Sequence, residues 1–196
     1  MTAVIVFIVI PKNTGLKQYT DIALGYLTEA DPKNMIEVRG EDVPSWVVQL
    51  RKKGKKAIGL TGEDLYREYV IEERETTLQV VRKIRWADGQ ALFGKPALCL
   101  IGPKGMTIDN LPREATVCIA AKYPKIAKRY LNLLEGRGFS FKKIYMNGSV
   151  ESSYTTGIAD ILIDIVYTGN SLKKYGLVII DVILYSDFVI IGGKND

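Results

Sequence analysis

Histidine is missing from all 196 residues. That excludes histidine-held metals, Ser-His-Asp triads and Cys-His nucleophiles. Any chemistry must come from carboxylates, lysines, backbone amides or a metal held by oxygen. Cysteine is nearly missing. Cys99 in "ALCLIG" and Cys118 in "TVCIAA" each sit inside a short apolar run, so they read as buried small hydrophobes. A disulfide framework is not expected, which suits a cytoplasmic protein. Long apolar runs are missing too. The opening "MTAVIVFIVIPKN" is short, lacks a basic leader and stops at Pro11-Lys12, so it reads as a buried strand, and no membrane span or membrane partner is expected.

What is present is ordinary for a folded chain. A 47% hydrophobic content with 25% charged residues leaves no case for disorder, and 196 residues suffice for one large domain or two small ones. The net charge is +5, but 27 basic residues are interspersed with 22 acidic ones. The densest basic cluster, "RKKGKK" from Arg51 to Lys56, reads as a solvated helix end, where cations suit the dipole. Nucleic acid is therefore not the expected partner. A positive field suits anionic small molecules equally well.

Strand-like and helix-like patterns alternate along the chain. "AVIVFIVI" is a continuous β-branched run typical of a buried parallel strand. Helical spacing follows over 15–30, 41–54 and 61–73, with strands expected at 35–38, 56–60 and 77–86. Pro44 near a helix start and Gly54 after a basic end are consistent punctuation. The polar "ADGQALFGKP" then suggests a crossover between domains. Beyond it the alternation resumes, with strands expected at 97–102, 116–121, 141–146 and 160–167 and helices at 123–136, 150–159 and 171–176. "LVIIDVILYSDFVIIGG" holds one or two further strands. No short-period repeat is visible. The expectation is two small α/β domains with a cleft between them: 1–93 with 181–196, and 94–180.

The stretch "DILIDIVYTGNS" is the most informative. Strand alternation puts Asp160, Leu162, Asp164 and Val166 on one face. A carboxylate there is costly unless it looks into a polar cleft. The turn Thr168-Gly169-Asn170-Ser171 opens a helix, and its free N–H groups and hydroxyls can hold an anion. The plain alternative is a helix cap, for which Asn and Ser are common.

These residues carry a resemblance. "GSVESSYTTGIADILIDIVYTGNSLKKYGL" resembles the signature region of ATP phosphoribosyltransferases, which open histidine biosynthesis. The agreement runs through Gly148, Ser149, Val150, Glu151, Gly157, Ala159, Asp160, Asp164, Thr168, Gly169, Asn170 and Leu172. Upstream, "IAAKYPKIAKRYL", "EDVPSWV", "AIGLTGEDL" and "VIPKN" resemble further family segments in the same order. The chain departs from the family's Pro-Lys-Gly-Arg-Leu opening, with Pro11-Lys12-Asn13-Thr14-Gly15-Leu16 in its place.

The resemblance implies a periplasmic-binding-protein-like fold and a transferase joining N1 of ATP to C1 of phosphoribosyl pyrophosphate, with Mg2+ as cofactor. It implies a phosphate cradle at Thr168, Gly169, Asn170 and Ser171, with Glu151 nearby. Asp164, Asp160 and Lys12 become the catalytic candidates, and Lys122 and Tyr123 the nucleotide-binding ones. No metal-ligand set is assigned. With no room for a C-terminal regulatory domain, the chain resembles the short form. That form works with a partner subunit similar to histidyl-tRNA synthetase, in a homo- or hetero-oligomer. The other reading is an inactive relative that keeps a nucleotide or phosphoribosyl ligand.

Overall fold

The computed structural model describes residues 5–27, 31–71 and 77–193. Ten strands and six α-helices are present among them. They are β1 (Val6–Pro11), α1 (Lys17–Leu24), β2 (Met35–Val38), α2 (Val43–Lys52), β3 (Lys56–Gly62), α3 (Glu63–Val70), β4 (Gln79–Ile84) and β5 (Ala97–Pro103). After these come β6 (Glu114–Ala120), α4 (Pro124–Glu135), β7 (Ser140–Met146), α5 (Val150–Thr155), β8 (Ile161–Val166), α6 (Asn170–Lys174), β9 (Leu177–Tyr185) and β10 (Phe188–Gly192). No helix among the described residues is long and apolar enough to cross a membrane.

Two compact units result, one of 1–86 with 187–196 and one of 87–186. Each is built on a mixed five-stranded sheet, in the order β2-β1-β3-β10-β4 and β7-β6-β8-β5-β9. In the first unit β1 runs parallel to β2 and β3, while β10 is antiparallel to β3 and β4. In the second, β6 runs parallel to β7 and β8, while β5 is antiparallel to β8 and β9. The mixed character follows from the chain passing between units twice, which delivers β5 and β10 against the direction of their neighbours.

The first core is Val9, Val43, Val47, Ala57, Leu78, Val189 and Ile191. α2 sits so close on β3 that a Cβ on Gly59 would come within 2.7 Å of both Val43 and Val47. The second core is Leu98, Leu100, Ile119, Leu131, Ile161 and Ile163, all essentially inaccessible. Each such side chain contributes about 1.5–3 kcal/mol of transfer free energy. Tyr130 on α4 donates to Asp181 on β9 at 2.8 Å, tying the helix to the edge strand. Cys99 and Cys118 are buried and free.

Several boundaries differ from those read in the sequence. The helix expected at 15–30 begins as a 3-10 turn over Thr14–Leu16 before α1, and its last three positions lie outside the described residues. The helix expected at 61–73 starts at Glu63, because Thr61 and Gly62 still pair with β10; positions 72 and 73 also lie outside. α5 stops at Thr155, with Gly157 at φ 71° closing it. The 177–193 run is two strands in two different sheets. The units change at 86/87 and 186/187, not at 93/94 and 180/181. β9 pairs with β5 along its whole length, which keeps 181–185 in the second unit.

Candidate active site at the carboxyl ends of β6 and β8

In an open α/β sheet, ligands bind beyond the carboxyl ends of the parallel strands. In the second unit those ends are Ala120–Tyr123 after β6, Met146–Val150 after β7 and Val166–Asn170 after β8. Gly169 caps α6 in the left-handed region, at φ 73° and ψ 7°. Any side chain there would be strained, and a Cβ would lie 3.4 Å from Leu92 Cδ2. The Asn170 N–H donates to Thr168 Oγ1 at 3.3 Å. Asn170 and Ser171 are exposed and Thr168 is half-buried. The first N–H groups of a helix have no acceptor within it, so this turn presents donors outward.

Asp164 lies two residues before the end of β8. Its Oδ1 accepts the Ile165 N–H at 2.7 Å. Burial pushes its carboxyl up to about 6, against the pull of that N–H and the Lys122 ammonium, and Glu151 pushes it further the same way. The influence of Lys122 and Glu151 on Asp164 brings three sequence candidates together: Asp164 from β8, Lys122 from the end of β6, and Glu151 from the first turn of α5. α5 is entered through Ser149 at φ 52°, the one non-glycine residue with positive φ among the described residues. A left-handed residue of this kind stores about 1–3 kcal/mol and is typical of sites.

Three other candidates lie elsewhere. Asp160 shares a face with Asp164 but stands at the opposite end of β8. Its Oδ2 accepts the Thr116 N–H at 2.7 Å, and its own N–H donates to Thr116 O at 2.9 Å. Four residues of strand put it about 13 Å from Asp164. It therefore anchors the start of β8 against β6 and is not part of the cluster. Tyr123 is 1% exposed, with the Lys122 ammonium 5.2 Å from its ring centre. It is a core residue and offers no ring face to a base. Lys12 belongs to the first unit, exposed just beyond β1, with its N–H on Val38 O at 2.8 Å.

The sequence reading missed one component. The loop from Asp88 to Gly94 lies along the turn. Tyr167, directly before Thr168, donates its hydroxyl to Asp88 Oδ2, and its carbonyl accepts the Leu92 N–H at 2.7 Å. The Tyr167 hydroxyl, and after it the Gln90 N–H, hold the Asp88 carboxyl below its ordinary value. The only signals available in sequence were the Asp88-Gly89 pair and a tyrosine at the strand end.

Among the described residues, no group of three or more histidine, cysteine, aspartate or glutamate side chains is placed to hold a metal. The donors at hand are the Asp164 and Glu151 carboxylates. Such a pair suits Mg2+, which keeps waters and rides on substrate phosphates rather than in a protein cage.

The family model described as HisG: ATP phosphoribosyltransferase matches residues 39–196. The chain belongs to the HisG family. All of the second-unit site lies within the match. An ATP phosphoribosyltransferase of Sulfurisphaera tokodaii is 34% identical over 176 residues, covering 89% of this chain. The chain spans only 55% of that relative's length. A solved structure, the ATP phosphoribosyl transferase HisG:HisZ complex of Thermotoga maritima, is similar at a TM-score of 0.71 and 26% identity. The similarity covers 96% of this chain and 88% of that one. The periplasmic aliphatic sulphonate binding protein SsuA of Escherichia coli aligns at a TM-score of 0.58 with 10% identity, over 98% of this chain and 66% of that one. That likeness is one of fold alone, and it agrees with the expected periplasmic-binding-protein-like architecture.

Proposed function

We propose that this chain transfers the phosphoribosyl group of phosphoribosyl pyrophosphate to N1 of ATP, releasing pyrophosphate. The observation that carries this is the meeting of a donor-rich Thr-Gly-Asn-Ser turn with the Asp164–Lys122–Glu151 cluster, inside the segment matched by the HisG family. The turn takes the 5′-phosphate through N–H groups and hydroxyls. Asp164 faces the ribose hydroxyls. Its carboxyl is mostly ionised at neutral pH, because burial raises it only to about 6.

The reaction develops positive charge on the sugar ring. Carboxylates fixed beside the ring stabilise that charge without reorganising. Lys122 offsets one of the two acids and lessens the repulsion of a phosphorylated ligand. Mg2+ bound to the pyrophosphate would neutralise its charge and aid its departure, and Glu151 or Asp164 would supply any protein oxygen to it. Lys12 is proposed for substrate phosphates on the family resemblance alone. The family resemblance supports ATP as acceptor. A partner subunit and a cytoplasmic setting are proposed on the same ground, and the Thermotoga maritima neighbour, solved as a HisG:HisZ complex, supports the partner.

A second reading rests on the altered opening loop. Lys12, Asn13 and Thr14 are exposed, and Asn13 makes no side-chain cap. An inactive relative would keep phosphoribosyl binding and lose transfer. The test mixes the purified chain, alone and with its partner subunit, with ATP, phosphoribosyl pyrophosphate, Mg2+ and pyrophosphatase. Phosphoribosyl-ATP should form with wild type and fall to background in Gly169→Val. Binding without product under both conditions favours the second reading; neither binding nor product refutes both.

A further inference from the structure

The Thr168–Ser171 turn has little of its own to hold it. α6 has only five residues, its cap Gly169 sits at positive φ, and within the turn the Asn170 N–H donates to Thr168 Oγ1 at a long 3.3 Å. Further bonds come from 87–94. This loop is closed on itself: Asp88 N–H donates to Gly94 O at 2.9 Å, Gln90 N–H to Asp88 Oδ1 at 2.8 Å, Ala91 N–H to Asp88 O at 3.1 Å and Gly94 N–H to Ala91 O at 2.9 Å. It then grips the residue before the turn at both ends, hydroxyl on Asp88 and carbonyl on Leu92. The Leu92 side chain lies beside Gly169.

We propose that Tyr167 and Asp88 are positioning residues, and that the 87–94 loop braces Thr168 and Gly169 in the geometry that receives the ligand phosphate. The ligand half of this rests on the phosphoribosyl reading above. The mechanical half does not. A charge-assisted hydrogen bond between a hydroxyl and a carboxylate is short and directional. It fixes the strand end from the side, where β8 has no further ladder partner. Losing it frees the turn to sample conformations in which its N–H groups diverge, so phosphate binding weakens while the sheet stays intact.

The test uses the full chain with Tyr167→Phe, Asp88→Asn and the double variant. Amide hydrogen exchange is read at 167–172, with β6 as internal control. Mg2+-phosphoribosyl pyrophosphate and ATP binding are titrated in parallel. In both single variants exchange at 167–172 should quicken about tenfold and phosphoribosyl pyrophosphate should bind about tenfold more weakly. ATP affinity and exchange in β6 should hold. The double variant should lose less than the sum of the two singles, because both act on the Tyr167–Asp88 bond. Unchanged exchange at 167–172, or additive losses, would overturn the brace. Wild-type phosphoribosyl pyrophosphate affinity in Tyr167→Phe would also overturn it. If wild type itself ignores phosphoribosyl pyrophosphate, the functional reading falls, and the exchange comparison alone decides the brace.

Discussion

The two units each carry a Thr-Gly pair between a strand and a helix, and the pair adopts a different conformation in each. Their sheets share one connectivity: three parallel strands, then an antiparallel strand delivered from the other unit, then an edge strand. β3 and β8 hold the same place, and each leads to a helix through Thr-Gly, which closes β3 and follows β8. In the first unit the sequence is Leu60-Thr61-Gly62-Glu63-Asp64-Leu65. Thr61 is fully buried and donates its hydroxyl to Gly40 O at 2.9 Å. Gly62 is extended at φ −69°, and the Glu63 N–H donates to Asp187 O at 2.8 Å. Glu63 then bonds Arg67 at 2.7 Å and Lys83 at 2.8 Å. That turn is tied to its surroundings through Thr61 and Glu63, and its acids repel phosphate. In the second unit the sequence is Tyr167-Thr168-Gly169-Asn170-Ser171-Leu172. The glycine is left-handed, and the following residues are neutral and exposed. One dipeptide is tied into the fold in one sheet and, on the proposed function, receives the ligand phosphate in the other; the next two residues differ most between them.

The comparison can be broken by exchanging those two residues. Asn170→Glu with Ser171→Asp should weaken phosphoribosyl pyrophosphate binding by about a hundredfold or more, near one factor of ten per added charge, with the thermal midpoint little changed. Titration calorimetry checks the first and a melting curve the second. Retained affinity would mean that the phosphate does not sit there. The threonines give a smaller, crossed effect. Thr61→Val leaves the Gly40 carbonyl without its partner and should cost about 1–3 kcal/mol of stability. Thr168→Val should cost little stability and about tenfold in phosphoribosyl pyrophosphate affinity. Urea unfolding of both variants separates the two roles.

The acids beside the turns should titrate in opposite senses. Asp164 is raised from 3.8 to about 6. Between about pH 4 and 6 the folded state binds more protons than the unfolded one, so this group's contribution to stability declines as pH rises through that window. Asp164→Asn should remove the decline. Activity that needs the carboxylate should climb across the upper end of the same window. Burial pushes the Glu63 carboxyl up, but Lys83 and Arg67 together outweigh it and hold it below 4.5. Its stabilisation is present above that value and lost as pH falls through the folded one, and Glu63→Gln should remove that acid-side loss. Unfolding curves from pH 3 to 7 read both slopes.

What the sequence revealed was local. The period-two run at 160–166 and the Thr-Gly-Asn-Ser helix start needed no tertiary information. Glu151 and Lys122 came from the family resemblance. The place of Asp160 at the start of β8 was not legible, because alternation fixes the face of a strand but not which end meets a ligand. The burial of Tyr123 was not legible either, because it depends on what packs over the helix cap. Asp88 and Tyr167 are 79 residues apart, beyond any local pattern. The apolar run through Ser186-Asp187 conceals a change of sheet, because both halves are buried strands. The twin turns went unnoticed because a shared Thr-Gly is too little sequence to mark a repeat.

The most direct test is amide chemical-shift mapping while Mg2+-phosphoribosyl pyrophosphate is titrated into the full chain. The account predicts saturable shifts at Thr168 to Leu172 and none at Thr61 to Leu65. Shifts at the first-unit turn, or silence at the second, would contradict it.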